Sequence, residues 1–216
     1  MYRGIRINIG CSDSPTKGWH NLDYSIGLKL SRNFWVVKIL RKIKLITKRQ
    51  YLIALFYKKN KVYYANAYKK IPYKDNEVDV IYSCHMIEHL TQENAKKFLL
   101  EAYRVLRKDG IIRLVVPDLK KKAIEYIRNG DADEFVYQTH MWYPEPKSVL
   151  QKIYIFLTGP KHHLWMYDFK SLSKLLLECK FHNVISLKPS ETNIPNPGSL
   201  DLSERAWDSF YLEANK

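Results

Sequence analysis

Apolar and polar positions along the 216-residue chain change period several times, and each change predicts an element. Residues 6–11 (RINIGC) alternate and stop at a glycine, which predicts a short strand. Residues 20–23 (HNLD) predict a second strand ending in a carboxylate, and Pro15 and Gly18 lie too close together for a full crossover helix between the two. From 26 to 60 the pattern turns helical: Val36, Ile39, Leu40, Ile43 and Ile46 recur at helical spacing, with Lys and Arg between them. Residues 62–65 and 78–83 predict a third and a fourth strand, the latter apolar and β-branched after the turn KDNE. A helix follows over 91–107, capped by Thr91 and stopped at Lys108, Asp109 and Gly110, and a fifth strand over 111–116 ends at Pro117 and Asp118. The second half reads as a helix over 119–129, a mixed stretch to 167, a helix over 168–179 capped by Asp168, and strands over 184–187 and 208–213.

Strands alternating with helices predict an α/β protein with a doubly wound sheet, parallel for its early strands. No repeat or linker divides the chain, so residues 1–216 form one domain, with 26–61 as a basic helical insertion and 120–167 as a segment facing the substrate. The last of these holds His140, Trp142, His162, His163 and Trp165.

The net charge of +14 is concentrated in one place. Between Asp23 and Asp75 there are 14 basic residues and no acidic one, while elsewhere 22 basic residues balance 22 acidic ones. That segment could rest on anionic lipid or grip a phosphorylated carrier; a solvated helical hairpin covering the sheet edge is the plainer reading. The apolar stretch 34–57 is interrupted by six Lys and Arg residues and predicts no spanning helix. The amino terminus reads as a strand and not as a secretory signal. Cys11, Cys84 and Cys179 are too few and too scattered for a disulfide framework or a CxxC zinc site. A cytoplasmic protein is expected, peripheral at the inner membrane surface where the basic segment meets lipid, and no metal.

In a doubly wound sheet ligands bind beyond the carboxyl ends of the strands, where the winding reverses. That rule selects Gly10, which permits close backbone approach to a ligand, and Asp23, which can accept from both hydroxyls of a ribose. The runs NIGCS (8–12), GWHNLD (18–23), IPYKDNEVDVIYSCHMIEHL (71–90) and RVLRKDG (104–110) together resemble the type 11 group of class I S-adenosylmethionine-dependent methyltransferases, particularly those associated with surface polysaccharide synthesis. The resemblance covers 5–25 and 62–119 well and the carboxyl end loosely. It implies a Rossmann-like, mostly parallel seven-stranded sheet with an antiparallel last strand, and S-adenosylmethionine as cofactor. It also implies a cofactor site of Gly10, Cys11, Ser12, Asp23, Asn66, Ala67, Ser83, Cys84 and His85. Two positions depart from the group's pattern: Ser12 replaces its second glycine, and Asn66 stands where an acidic residue accepts from the adenine amino group.

Methyl transfer needs donor and acceptor held in near-attack geometry, and a hydroxyl acceptor also needs a base. His85, at the end of the fourth strand, and His163 are the candidates, because imidazole titrates near neutral pH. The leading expectation is O-methylation of a sugar or glycan precursor. RNA methylation is an alternative suggested by the basic segment, although YSCH is not the Asn/Asp-Pro-Pro-aromatic turn that base amino-methylating enzymes use. A catalytically degenerate binding protein of the same fold is a third. His85 to His89 also spells H-x-x-E-H, the signature of an inverted zinc peptidase, but directly after a strand the two histidines fall in different environments.

Overall fold

A computed structural model describes residues 4–142 and 162–216; residues 143–161 of the expected substrate-side segment lie outside the described residues. Seven strands form one sheet in the order β3-β2-β1-β4-β5-β7-β6. They are β1 (Ile5–Ile9), β2 (His20–Asp23), β3 (Val62–Tyr64), β4 (Val78–Cys84), β5 (Leu106–Pro117), β6 (His182–Leu187) and β7 (Ser209–Asn215). Pairings from β3 through to β5 are parallel, and β7 runs antiparallel between β5 and β6, so β7 alone points the other way. The strand order reverses between β1 and β4, which fixes the crevice for a ligand at their carboxyl ends.

The central strands are apolar runs because helices cover both of their faces. In β4, VDVIYSC, six of the seven residues are buried. The helix Gln92–Val105 packs here through Ala95, Phe98, Leu99, Ala102 and Val105, one stripe at helical spacing.

The helices are α1 (Ile26–Ser31), α2 (Phe34–Lys42), α3 (Lys48–Lys59), α4 (Gln92–Val105), α5 (Leu119–Asn129), α6 (Ala132–Thr139) and α7 (Phe169–Glu178), with a 3-10 turn at Ile87–His89. Thr91 caps α4 as expected, and Asp168 caps α7 in a reciprocal box with Ser171. The boundary after α4 differs from the expectation. The helix stops at Val105 and β5 begins at once, with the residues after Leu106 forming an irregularity opposite Val78 and Val80. Asp109 is left-handed there, and a Cβ on Gly110 would lie 2.9 Å from the Arg107 carbonyl oxygen, so a glycine is required.

The insertion is three helices packed on one another. Its buried face is not the stripe the periodicity selects: α2 buries Val37, while Ile39 and Ile43 are 49% and 56% exposed. Tertiary packing chose the face. Phe34 of α2 meets Tyr51 of α3 with ring centroids 5.6 Å apart, and α3 buries Ala54 and Tyr57.

Candidate active site

A cavity of about 460 Å³ opens at the carboxyl ends of β1 and β4, within the usual range for small-molecule sites. The turn after β1 contributes Gly10, Cys11 and Ser12, and the end of β4 contributes Cys84 and His85. His163 and His89 line it too, as do Arg49 of α3, Lys122 of α5 and Asp208 just before β7. The structure therefore brings together six of the ten site residues the sequence selects.

Gly10 has φ +74°, and its amide donates to the Leu22 carbonyl at 2.8 Å. A Cβ here would fall 2.6 Å from Cγ of Met86, so the close approach that this glycine permits is, in this structure, to Met86. Ser12 is left-handed as well, with φ +44°, in the place where the resemblance leads one to expect a glycine.

Asp23 does not line the cavity. Its carboxylate joins the two strand-end turns, accepting from the Ser12 amide at 2.9 Å and the Ser25 amide at 2.7 Å. Tyr57 of α3, 5% exposed, packs beside it, and its phenol interacts with the side chains of Ser25 and Ser12. Burial, and secondarily the Asp23 charge, push this phenol far up, so Tyr57 is neutral.

Of the remaining expected residues, Ser83 turns its hydroxyl onto the Ile9 carbonyl at 2.9 Å and ties β4 to β1, away from the cavity. Ala67 is part of the hydrophobic core. Asn66 borders a separate, shallower hollow after β3, and both its side-chain oxygen and nitrogen are buried without a partner. Cys11 and Cys84 are free thiols pushed up in pKa by burial, which keeps both protonated.

His85 occupies left-handed backbone, φ +49°, its amide bonded to the Val115 carbonyl. A strained backbone at a functional site is a pointer to role. Its Nε2 lies 2.7 Å from Ser209 Oγ, and that hydroxyl lies 2.9 Å from Asp208 Oδ1. Ser209 has one hydrogen, and the carboxylate can only accept it, so Ser209 accepts from Nε2–H and Nδ1 of His85 carries the lone pair. Burial lowers the His85 pKa to about 4, against the pull of Asp208, and lowers that of His163 to about 3. Both imidazoles are neutral.

Sequence reasoning missed Asp208, Ser209, Arg49 and Lys122. A signal existed for the first two: an antiparallel strand beside β5 begins where β5 ends, as the register Pro117↔Ser209 shows. No local pattern announces that Arg49 reaches the cavity.

The fold is that of class I methyltransferases. It is similar to a SAM-dependent methyltransferase from Methanosarcina mazei at a TM-score of 0.53 and 13% identity, covering 99% of this chain and 92% of that one. A SAM-dependent methyltransferase from Thermotoga maritima gives 0.51 and 18%, covering 100% and 84%, and one from Archaeoglobus fulgidus gives 0.51 and 13%, covering 99% and 87%. Comparison with curated proteins returns no match. The family model described as a methyltransferase domain, of type 11, matches residues 41–114. The protein is a methyl-transfer enzyme with S-adenosylmethionine as its cofactor. The matched span begins after the Gly10 turn and Asp23, so those assignments rest on the geometry above.

That geometry fits the cofactor only at the Gly10–Ser12 turn, because Asp23 and Asn66 lie outside the cavity. The turn Gly10–Ser12 borders a cavity of suitable size, and the orphaned Asn66 amide after β3 offers both a donor and an acceptor for an adenine edge. Asp23 keeps two of about four acceptor positions for a ribose, although Tyr57 covers it.

Proposed function

We propose that this enzyme methylates a hydroxyl group of a sugar or glycan precursor used for cell-surface polysaccharide, with His85 as the general base. The observation that carries the reading is the chain Asp208–Ser209–His85, which fixes one tautomer and leaves an Nδ1 lone pair on a residue lining the same cavity as the Gly10 turn. When bound, S-adenosylmethionine supplies an electrophilic methyl group. Gly10, Cys11 and Ser12 would hold its methionine part, with Asp23 and Asn66 toward the ribose and adenine. His85 receives the acceptor's proton as the new oxygen–carbon bond forms, and the fixed hydrogen-bond chain keeps the ring from rotating away. Arg49, Lys122 and Arg205 give the cavity cationic groups able to hold a phosphorylated acceptor such as a nucleotide or lipid-linked sugar.

The insertion supports action at a membrane surface. Trp35, Ile39 and Ile43 are spaced by four residues on and just beyond α2, and are 67%, 49% and 56% exposed. Lys38, Arg41, Lys42 and Lys44 surround this stripe. A tryptophan-bearing apolar stripe among lysines suits the interface of an anionic leaflet, where each cation adds about 1 kcal/mol. Among the described residues no helix is long and apolar enough to cross a membrane, so the contact would be peripheral, at the cytoplasmic face.

Incubating the enzyme with donor labelled in its methyl group and a panel of nucleotide sugars, lipid-linked sugars and RNA tests the reading. Label in a sugar hydroxyl is expected; label only in RNA would replace the proposal. Calorimetry showing no binding of S-adenosylhomocysteine at high concentration would favour the degenerate protein, a reading that the Tyr57 cover on Asp23 motivates. Sedimentation with phosphatidylglycerol vesicles tests the stripe, with loss of binding expected for Trp35→Ser.

A further inference from the structure

We propose that Glu88, His89 and His163 form a binding site for one divalent transition-metal cation of the zinc type, beside the catalytic cavity. The three side chains each offer a ligand atom, and these atoms lie within 4.8 Å of one another. Glu88 is 0% exposed, and neither of its carboxylate oxygens has a hydrogen-bond partner. The nearest nitrogens are Nδ1 of His85 at 3.6 Å and Nε2 of His163 at 3.9 Å. Burial pushes the Glu88 carboxyl up to about 8, so it is held neutral without a cation beside it, and native proteins rarely leave even a neutral buried carboxyl without a partner. The hydroxyl of Tyr167, also buried and unpartnered, lies within electrostatic reach of Glu88, so the orphaned groups lie together.

Both histidines are oriented as ligands. Nδ1 of His89 lies 3.1 Å from the His162 carbonyl oxygen, and Nδ1 of His163 lies 3.3 Å from Sδ of Met166. The His89 ring thus has its Nδ1 engaged by a backbone carbonyl, the division that metal-bound histidines show when an acceptor fixes the tautomer, and the His163 ring, which also interacts with the Thr139 backbone, has Nε2 3.9 Å from Glu88 Oε1. The backbone holds the two segments in register: the amides of Leu164 and Trp165 donate to the Glu88 carbonyl at 2.8 and 3.1 Å, and the His163 amide to the His140 carbonyl at 2.9 Å. Two imidazoles and one carboxylate suit zinc, cobalt, nickel or iron, and not calcium or magnesium, which prefer oxygen. His89 and His163 also line the cavity, so a cation could enter from it.

This is not the inverted-peptidase arrangement. His85 leaves the motif for Ser209, Glu88 and His89 share one 3-10 turn, and the third ligand comes from far along the chain. The site stands on these contacts and not on the acceptor reading.

The test uses the untagged full chain, stripped with a chelator and titrated with Co²⁺ while its visible ligand-field bands are followed. Saturable bands, displaced by Zn²⁺, are expected. Glu88→Gln and His163→Asn should each weaken binding by at least the roughly 10- to 100-fold that even outer-shell changes cause. His182→Asn, on the exposed edge of β6, should bind as the parent does. If Glu88→Gln fails to melt cooperatively, His89→Asn and His163→Asn decide. Absence of saturable bands in the parent, or equal binding in all variants, would overturn the site and leave a buried water as the partner of Glu88. S-adenosylhomocysteine binding by the same stripped protein keeps that outcome distinct from a failure of the methyltransferase reading.

Discussion

Tyr57, carried on an inserted helix, lies buried beside Asp23, the carboxylate that ends β2 and faces the turn of Ser12. If a ribose takes that carboxylate, as proposed above, cofactor binding requires the insertion to give way there, and apparent affinity is then reduced by the fraction of molecules in which the carboxylate is uncovered. Tyr57→Ala should therefore tighten S-adenosylhomocysteine binding, by roughly three- to tenfold for a modest bias. Isothermal calorimetry reads this directly; weaker binding would mean that Tyr57 forms part of the cofactor's wall.

Asp23 itself has two duties. Besides any ribose contact it holds Ser12 and Ser25 by hydrogen bonds to a charged group, an interaction type that contributes about 1.5–3 kcal/mol. Asp23→Ala should lower both stability and cofactor affinity. Denaturant melts and calorimetry measure the two separately, and unchanged affinity in a folded variant would remove Asp23 from the cofactor site.

A separate prediction concerns the sheet beyond the site. Arg113 of β5 is fully buried and paired across the ladder with Glu213 of β7 at 2.7 Å, and its two terminal nitrogens also donate to the Glu191 and Leu202 carbonyls, while Nε is buried without a partner. The Thr192 hydroxyl and the Asn193 amide complete the shell of Glu213. Removing one partner leaves an uncompensated buried charge, at a cost of about 3–5 kcal/mol. Glu213→Ala should lower the free energy of unfolding by that amount, and Arg113→Met with Glu213→Leu should recover much of it. A melt in which the single variant matches the parent would contradict this.

The elements were legible wherever local pattern decides. The buried run of β4, the Thr91 and Asp168 caps and the glycine turn at Gly10 all follow from periodicity or cap chemistry that a few adjacent residues contain. What escaped were choices made by tertiary packing. The helical stripe over 36–46 is real, but contact between α2 and α3 buries Val37 and turns Ile39 and Ile43 outward. Likewise the freedom of Gly10 is spent on Met86, 76 positions away, and no spacing rule tells a ligand from a side chain there. The cluster around His85 draws on Glu88, Asp208 and Ser209, so its members come from both halves of the sequence.

His85 provides the sharpest separation of binding from chemistry. Its ring is held by Ser209 through Nε2, and Asp208 holds Ser209 in turn, so Nδ1 is the nitrogen available to take a proton. Removing the imidazole should change cofactor affinity far less than it changes transfer, because the Gly10 turn, Asp23 and Asn66 carry most of the contacts assigned to the donor. It should lower kcat by about 100- to 10,000-fold, the usual contribution of a positioned base. His85→Asn is the informative variant, since asparagine tolerates the left-handed backbone that His85 occupies. Ser209→Ala frees the ring to rotate while leaving it present, and should give a smaller loss of kcat with no change in KM for the donor. Single-turnover transfer and calorimetric titration of the same preparations separate the two effects. If His85→Asn transfers methyl groups at the parent rate, another group takes the proton and the chain Asp208–Ser209–His85 serves only to close the end of β4 against β7.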